Sequence, residues 1–306
     1  MAASAAASSR RGFLRLVVAA AVLAAFGLGA ARAAGSSVDR APLSVASLFP
    51  GPACPTTAEH GPCSPLADAH GKLPAHDEIL AADQNRVDSI QRRVSATTGR
   101  GKLTVQAYDK YGGAFAYCLP ASSTGTGYLD FGPGSAGNNA RLTPMLTDKG
   151  QTFYYVGLTG IRVGGQQVPV AESVFSTAGT LVDSGTVITR LPATAYLALS
   201  KAFAKAMSAS GYKTAPAYSI LDTCYDFTGL SDVSLPTVSL VFQGGTCLDV
   251  DVSGIVYAIS QAQVCLAFAS NGDDESVAII GNTQQKTYGV LYDLGKKTVG
   301  FAPGSC

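Results

Sequence analysis

Asp183 stands at the end of the apolar run Leu181-Val182 and opens the turn Ser184-Gly185-Thr186. A carboxylate held at a strand end by backbone N–H and hydroxyl groups can take a proton from water or pass one to a carbonyl oxygen. Gly185 lets the chain turn tightly, with backbone close to that carboxylate. An Asp-Ser-Gly turn between strands is also common without any chemistry, so the string gains meaning only from its context. Near the C-terminus, Ile279, Ile280 and Gly281 again set two aliphatic residues ahead of a glycine, followed by a short polar segment and a strand.

Other residues narrow the chemistry. The three histidines are His60, His70 and His76, and no imidazole follows them. If the segment before about residue 100 lies outside the working domain, Ser-His, Cys-His and histidine-ligated zinc chemistry are removed, and carboxylates remain for acid–base work. From Leu103 to Cys306, 11 Lys and Arg stand against 14 Asp and Glu without a basic stripe, which argues against nucleic acid as a partner. Gly132, Gly134 and Gly137 fit G-x-G-x-x-G, but Pro133 interrupts them and no helix follows, so the segment reads as a loop. The acidic run 271–275, N-G-D-D-E, reads as a solvated hairpin tip.

The elements that must position Asp183 read as β. Short runs rich in Val, Ile, Tyr and Phe, such as T-L-V-D-S-G, T-V-S-L-V-F and V-A-I-I-G, are punctuated by Gly, Pro, Asn and Asp. One helix interrupts them, from about Pro192 to Met207, with Tyr196, Leu199, Phe203 and Met207 on its core face. Some 200 residues of this kind can bury one core.

The leading 102 residues differ in texture. Arg10, Arg11 and Arg15, the apolar run behind them and Ala31-Arg32-Ala33 predict a cleaved signal peptide over 1–33. No later run is long enough to span a bilayer, so no membrane association is expected after cleavage. In 34–102, a proline-rich stretch precedes an amphipathic helix with Leu80, Val87, Ile90 and Val94 at helical spacing. This segment is either a small domain or a pro-segment packing on the domain after it; the pro-segment is the reading taken. Seven cysteines in a secretory chain read as disulfide partners, the odd count leaving at least one thiol unpaired within the chain.

The combination of Leu181-Val182-Asp183-Ser184-Gly185 with Ile279-Ile280-Gly281 resembles the two crossing loops that hold each catalytic aspartate in pepsin-like aspartic proteases. The strings F-A-Y-C-L-P, T-G-Y-L-D-F-G, F-Y-Y-V-G-L-T-G-I-R-V-G-G, I-L-D-T-C-Y-D-F-T-G, L-P-T-V-S-L-V-F and Q-V-C-L-A-F-A resemble the nepenthesin-like plant type across residues 103–306, and H-G-P-C-S-P-L resembles its pro-segment. The resemblance implies an all-β second lobe over 103–306 carrying one amphipathic helix, preceded by the signal peptide and a pro-segment over 34–102. It implies aspartic-type endopeptidase activity on polypeptides at acid pH, without a metal or organic cofactor. Asp183 would be the catalytic residue, Ser184, Gly185 and Thr186 its active-site loop, and Ile279, Ile280 and Gly281 the support behind it. It also implies disulfides Cys224–Cys265 and Cys118–Cys306, with Cys247 left over, and a secretory route to an extracellular or vacuolar destination.

The sequence departs from that family in one respect. The first lobe of such proteases carries its own Asp-Thr-Gly, and no D-T-G occurs here; Asp222-Thr223-Cys224 is the nearest string. Most of the first lobe is expected to be missing, leaving exposed the face it would cover. Two facing carboxylates share a proton because both cannot ionise side by side at low cost. A lone Asp183, with an ordinary pKa near ~3.9, would have a base's capacity without the matching acid. The expected partner is a polypeptide, as substrate or as bound protein. A non-catalytic binding or inhibitor protein is the alternative, and a homodimer pairing two copies of Asp183 is a further way to complete the site.

Overall fold

The computed structural model describes residues 38–48, 74–96, 112–121, 125–132, 139–149 and 153–306. The signal peptide, Cys54, Cys63, His60, His70 and most of the G-P-G-S-A-G loop lie outside the described residues. The chain divides into Met1–Ser37 and Val38–Cys306, and every described residue belongs to the second unit.

The described chain is mostly β, with few helices. In order the strands are β1 (Arg40–Ser44), β2 (Ala114–Cys118), β3 (Tyr128–Phe131), β4 (Arg141–Leu146) and β5 (Tyr155–Val156). They continue as β6 (Leu158–Val163), β7 (Gln166–Gln167), β8 (Thr180–Val182), β9 (Thr189–Leu191) and β10 (Lys213–Ala215). Next come β11 (Cys224–Asp226), β12 (Asp232–Pro236), β13 (Val238–Phe242), β14 (Cys247–Asp249) and β15 (Val256–Ser260). The last are β16 (Gln263–Leu266), β17 (Phe268–Ser270), β18 (Ala278–Ile280), β19 (Gly289–Asp293) and β20 (Thr298–Ala302). Helix α1 spans His76–Ala96 and α2 spans Ala193–Ala209.

A ten-stranded sheet of order β17-β9-β18-β8-β5-β4-β20-β19-β2-β3 carries the Asp183 strand. At its far edge β3 leaves Leu129 60 % and Phe131 52 % exposed. Two four-stranded sheets, β14-β13-β6-β7 and β10-β11-β16-β15, close the core, and β1 pairs with β12. Val156, Leu158, Ile161, Phe203, Leu240, Phe242 and Phe301 lie at its centre.

Helix α2 forms where the sequence places it. Tyr196, Leu199, Phe203 and Met207 are buried along one face. It stops at Gly211, whose φ of 75° suits the left-handed turn that ends a helix. The acidic loop 271–275 is more than a solvated tip, because Asp274 accepts from the Thr194 N–H and hydroxyl at the start of α2, at 2.8 and 2.6 Å. That supplies an N-terminal cap from elsewhere in the chain. Cys118–Cys306 ties β2 to the C-terminus, and Cys224–Cys265 joins β11 to β16 where those residues face each other. Cys247 is a free thiol.

Helix α1 packs directly on the lobe. Its sequence holds no Gly or Pro, Asp77 and Glu78 sit in its first turn and Arg93 in its last, which matches the helix dipole. Glu78 also accepts from the Ala75 N–H at 2.8 Å, closing half of a capping box. Leu80 packs with Ile188, Leu221 and Ala267, while Val87 and Ile90 pack with Tyr155, Leu181, Val277 and Ile279. Burying three such side chains stabilises the contact by roughly 1.5–3 kcal/mol each.

Candidate active site

Strand β8 runs parallel to β18, with Leu181 opposite Ile279 and Val182 opposite Ile280. The ladder continues one step beyond the strands, where the Asp183 N–H donates to the Ile280 carbonyl at 3.0 Å. Gly281 then passes under the other loop. A Cβ there would lie 2.7 Å from the Val187 carbonyl oxygen and 2.9 Å from backbone atoms of Ile188 and Thr189, so only glycine fits the crossing. The Gly281 N–H donates to the Thr189 hydroxyl at 2.9 Å. Two further bonds lace the loops, from Asn282 N–H to the Thr186 carbonyl at 2.7 Å and from Asn282 Nδ2 to the Ser184 carbonyl at 3.1 Å. Together they fix Asp183 by backbone geometry rather than by side-chain packing alone.

Two glutamines without any marker in the sequence secure the crossing. Gln284 is fully buried; its Oε1 accepts from the Thr189 hydroxyl at 2.5 Å, and its Nε2 donates to Gly254 and Ala267 carbonyls, each at 2.8 Å. Gln285 donates to the Ile280 carbonyl at 2.7 Å and accepts from the Tyr117 hydroxyl at 2.5 Å. Tyr292 donates to the Val182 carbonyl at 2.9 Å. Burial pushes the Tyr117 and Tyr292 hydroxyls far up from the ordinary tyrosine value, so both stay protonated beside Asp183.

The Asp183 carboxylate is not alone. Arg86 of α1 meets it with both arms of its guanidinium, Nε to Oδ2 at 2.9 Å and Nη2 to Oδ1 at 2.8 Å. Thr186 donates its hydroxyl to Oδ2 at 2.6 Å. Gly185 makes room: a Cβ there would fall 2.4 Å from the Arg86 guanidinium carbon. Burial pushes the Asp183 carboxyl up, but the Arg86 and Thr186 hydrogen bonds, the arginine charge and the Gly185 N–H outweigh it, so the net direction is down. The ordinary carboxyl expected from sequence is therefore not what the fold makes; a cation from 97 residues upstream holds it ionised. Ser184 is exposed, and Thr186 is buried with its hydroxyl bonded inside its own loop.

A second carboxylate lies beside this loop, bound to its backbone and to a buried arginine. Asp83 accepts from the Val187 N–H at 2.6 Å, the Ile188 N–H at 3.2 Å and Arg190 Nη2 at 3.0 Å. The Asp83–Arg190 pair is buried, at 0 % and 1 % side-chain exposure. Gln91 grips the Val277 backbone on the same side, accepting its N–H at 3.1 Å and donating to its carbonyl at 2.9 Å. The sequence did carry a signal: Asp83 sits on the apolar stripe of Leu80, Val87 and Ile90, and Arg190 falls between Ile188 and Leu191 in a short strand that the fold buries. Among the described residues no cluster of three or more acidic, His or Cys side chains could hold a metal ion.

Comparison with known proteins places this geometry. Residues 153–303 match a protein family described as xylanase inhibitor C-terminal. An aspartyl protease family protein of Arabidopsis thaliana is 46% identical over 214 residues, which cover 68% of this chain and 44% of that relative. Aspartic proteinase nepenthesin-2 of Nepenthes gracilis is 32% identical over 204 residues, 63% of this chain and 46% of that protein. The chain thus spans less than half the length of these relatives. The crystal structures of edgp and of Basic 7S globulin from soybean share the fold at a TM-score of 0.53, with 22% and 21% identity. They cover 62% and 66% of this chain, and the match spans 54% of each of theirs. By its crossing loops, its single pepsin-like lobe and these relatives, the chain belongs to the pepsin-like aspartyl protease family of plants.

Proposed function

We propose that this chain carries aspartic-type endopeptidase chemistry as a latent half-site, with Asp183 as its catalytic carboxylate and α1 as the segment that masks it. The two-pronged Arg86–Asp183 contact carries the reading. A cation seated on the carboxylate occupies the position where water and a scissile peptide bond would have to meet. Peptide hydrolysis by aspartates needs one ionised carboxylate to take the water's proton and one protonated carboxyl to donate to the carbonyl oxygen. Arg86 holds Asp183 in the ionised form, and the side chains acting on it are those of Arg86 and Thr186. The reading therefore calls for a second aspartate to supply the acid, on a copy of this chain or on a lobe bearing its own. The substrate is a polypeptide, and the two disulfides together with the basic-then-apolar sequence pattern over 1–33 favour a secretory route to the cell exterior or the vacuole.

The test is acid peptidase activity against chain concentration, for the wild-type chain and for Arg86→Ala. Expected is activity that depends on Asp183, is blocked by a pepstatin-type inhibitor, and rises per chain as concentration or an added aspartate-bearing lobe rises. Activity that survives Asp183→Asn would overturn the assignment. A second reading, a non-catalytic protein that binds another enzyme, is favoured by the matched family's description as a xylanase inhibitor C-terminal region. It predicts tight protein binding that Asp183→Asn leaves intact.

A further inference from the structure

The Asp83 carboxylate sits in a site built from parts of the lobe. Two successive amides, of Val187 and Ile188, and the Arg190 guanidinium converge on it. All the donors come from the chain just after Asp183, while the acceptor comes from a helix that touches the lobe from outside. Arg190 is itself held in place by donating Nη1 to the Ile188 carbonyl at 2.9 Å, and Gln84 adds an acceptor to Nη2 at 3.3 Å. Its Nε is buried with no hydrogen-bond partner, and Arg190 lines a cavity of about 210 Å³ at the seam between α1 and the lobe. The guanidinium therefore has donor capacity that Asp83 does not exhaust.

Arginine does not lose its proton in proteins, so a site this buried demands an anion whatever occupies the face. If α1 withdraws, Arg190 and two amides are left bare beside Asp183. An apolar occupant would strand a buried cation; an acidic side chain would restore all three bonds. The apolar ledge where Leu80 packs, formed by Ile188, Leu221 and Ala267, adjoins the same spot.

We propose that Arg190 and the Val187 and Ile188 amides form a carboxylate-recognition subsite of the polypeptide-binding face, which Asp83 fills from within the chain and which selects an acidic residue in any polypeptide that replaces α1. The occupant's being a polypeptide rests on the function proposed above; the carboxylate selectivity does not.

Two measurements on the full chain test it. In Asp83→Ala, acetate should raise the melting temperature saturably relative to chloride at equal ionic strength, and should do so neither in wild type nor in Asp83→Ala/Arg190→Met. No acetate-specific effect overturns the subsite. Then a labelled synthetic peptide of residues 76–96 is titrated into Asp83→Ala. It should bind at least tenfold more tightly than the same peptide carrying Asp83→Asn, and Arg190→Met should erase the difference. Equal binding of both peptides overturns the selectivity and leaves the polypeptide-binding reading standing. If neither peptide binds while acetate still stabilises, the subsite stands and the polypeptide occupant falls. Asp83→Ser, whose short side chain still leaves room for the anion, carries the same measurements where Asp83→Ala does not fold.

Discussion

Replacing Arg86 by Ala removes two charge-assisted hydrogen bonds from Asp183 and leaves the Thr186 hydroxyl and the Gly185 N–H in place. Charged hydrogen bonds contribute about 1.5–3 kcal/mol in protected settings, whereas exposed ion pairs contribute ~0.2–1 kcal/mol. This pair lies between: Arg86 is 47% exposed and Asp183 21%. Discounting for solvent, the loss should be about 1–2 kcal/mol, or ~2–8 °C in melting temperature for a domain of this size. The pH dependence gives the sharper test. The folded-state carboxyl of Asp183 is lowered below its ordinary value. Its stabilising contribution is therefore complete above the unfolded pKa of ~3.9 and disappears as pH falls through the lowered folded value. In Arg86→Ala, burial acts with less opposition, so the Asp183 pKa rises. The difference in stability between wild type and Arg86→Ala should be full at pH 6–7 and vanish in strong acid, and a cycle with Asp183→Asn should return most of it as coupling. Chemical denaturation across pH measures this. A gap between the two proteins that persists unchanged well below the folded pKa, or a coupling near zero at neutral pH, would refute the reasoning.

Asp83→Ala should cost more than Arg86→Ala, about 3–5 kcal/mol, because it leaves a buried guanidinium without its counter-charge and two amides without their acceptor; denaturant midpoints of the two variants give the ranking directly. Gly281→Ala should destabilise by about 1–3 kcal/mol or prevent folding, since its Cβ meets rigid backbone of Val187, Ile188 and Thr189, and an equal melting temperature would contradict the tight crossing. Replacing Cys224 and Cys265 together by Ser should lower stability by ~4 kcal/mol in the chain-entropy account, given a loop separation of 41 residues, as read from guanidinium unfolding of both proteins.

How far each feature could be read in advance depends on the range of the interactions behind it. Strand β8, the turn after Val182 and the second aliphatic-aliphatic-glycine string are local patterns of residue type, and α2 is a local helical stripe, so all were legible in the chain itself. The disulfides Cys118–Cys306 and Cys224–Cys265 were legible through family resemblance alone, since their separations of 188 and 41 residues contain no local cue. Helix α1 was legible as a helix, from Leu80, Val87 and Ile90, but not as the cover of Asp183. Its Arg86 falls among the charged positions between the apolar residues, where solvent is the ordinary neighbour. Only the packing of the Leu80, Val87 and Ile90 stripe onto β8, β18 and their surroundings turns Arg86 toward the carboxylate. Asp83 breaks an apolar stripe and Arg190 falls between Ile188 and Leu191, and each alone looks like a defect; a fold that brings them together across 107 residues makes the two charges one buried pair. Sequence determined which backbone segments could hold an aspartate. The tertiary structure decided what stands against it, because electrostatic partnership depends on distance in space and on exclusion of water, and neither is written in the spacing of residues along the chain.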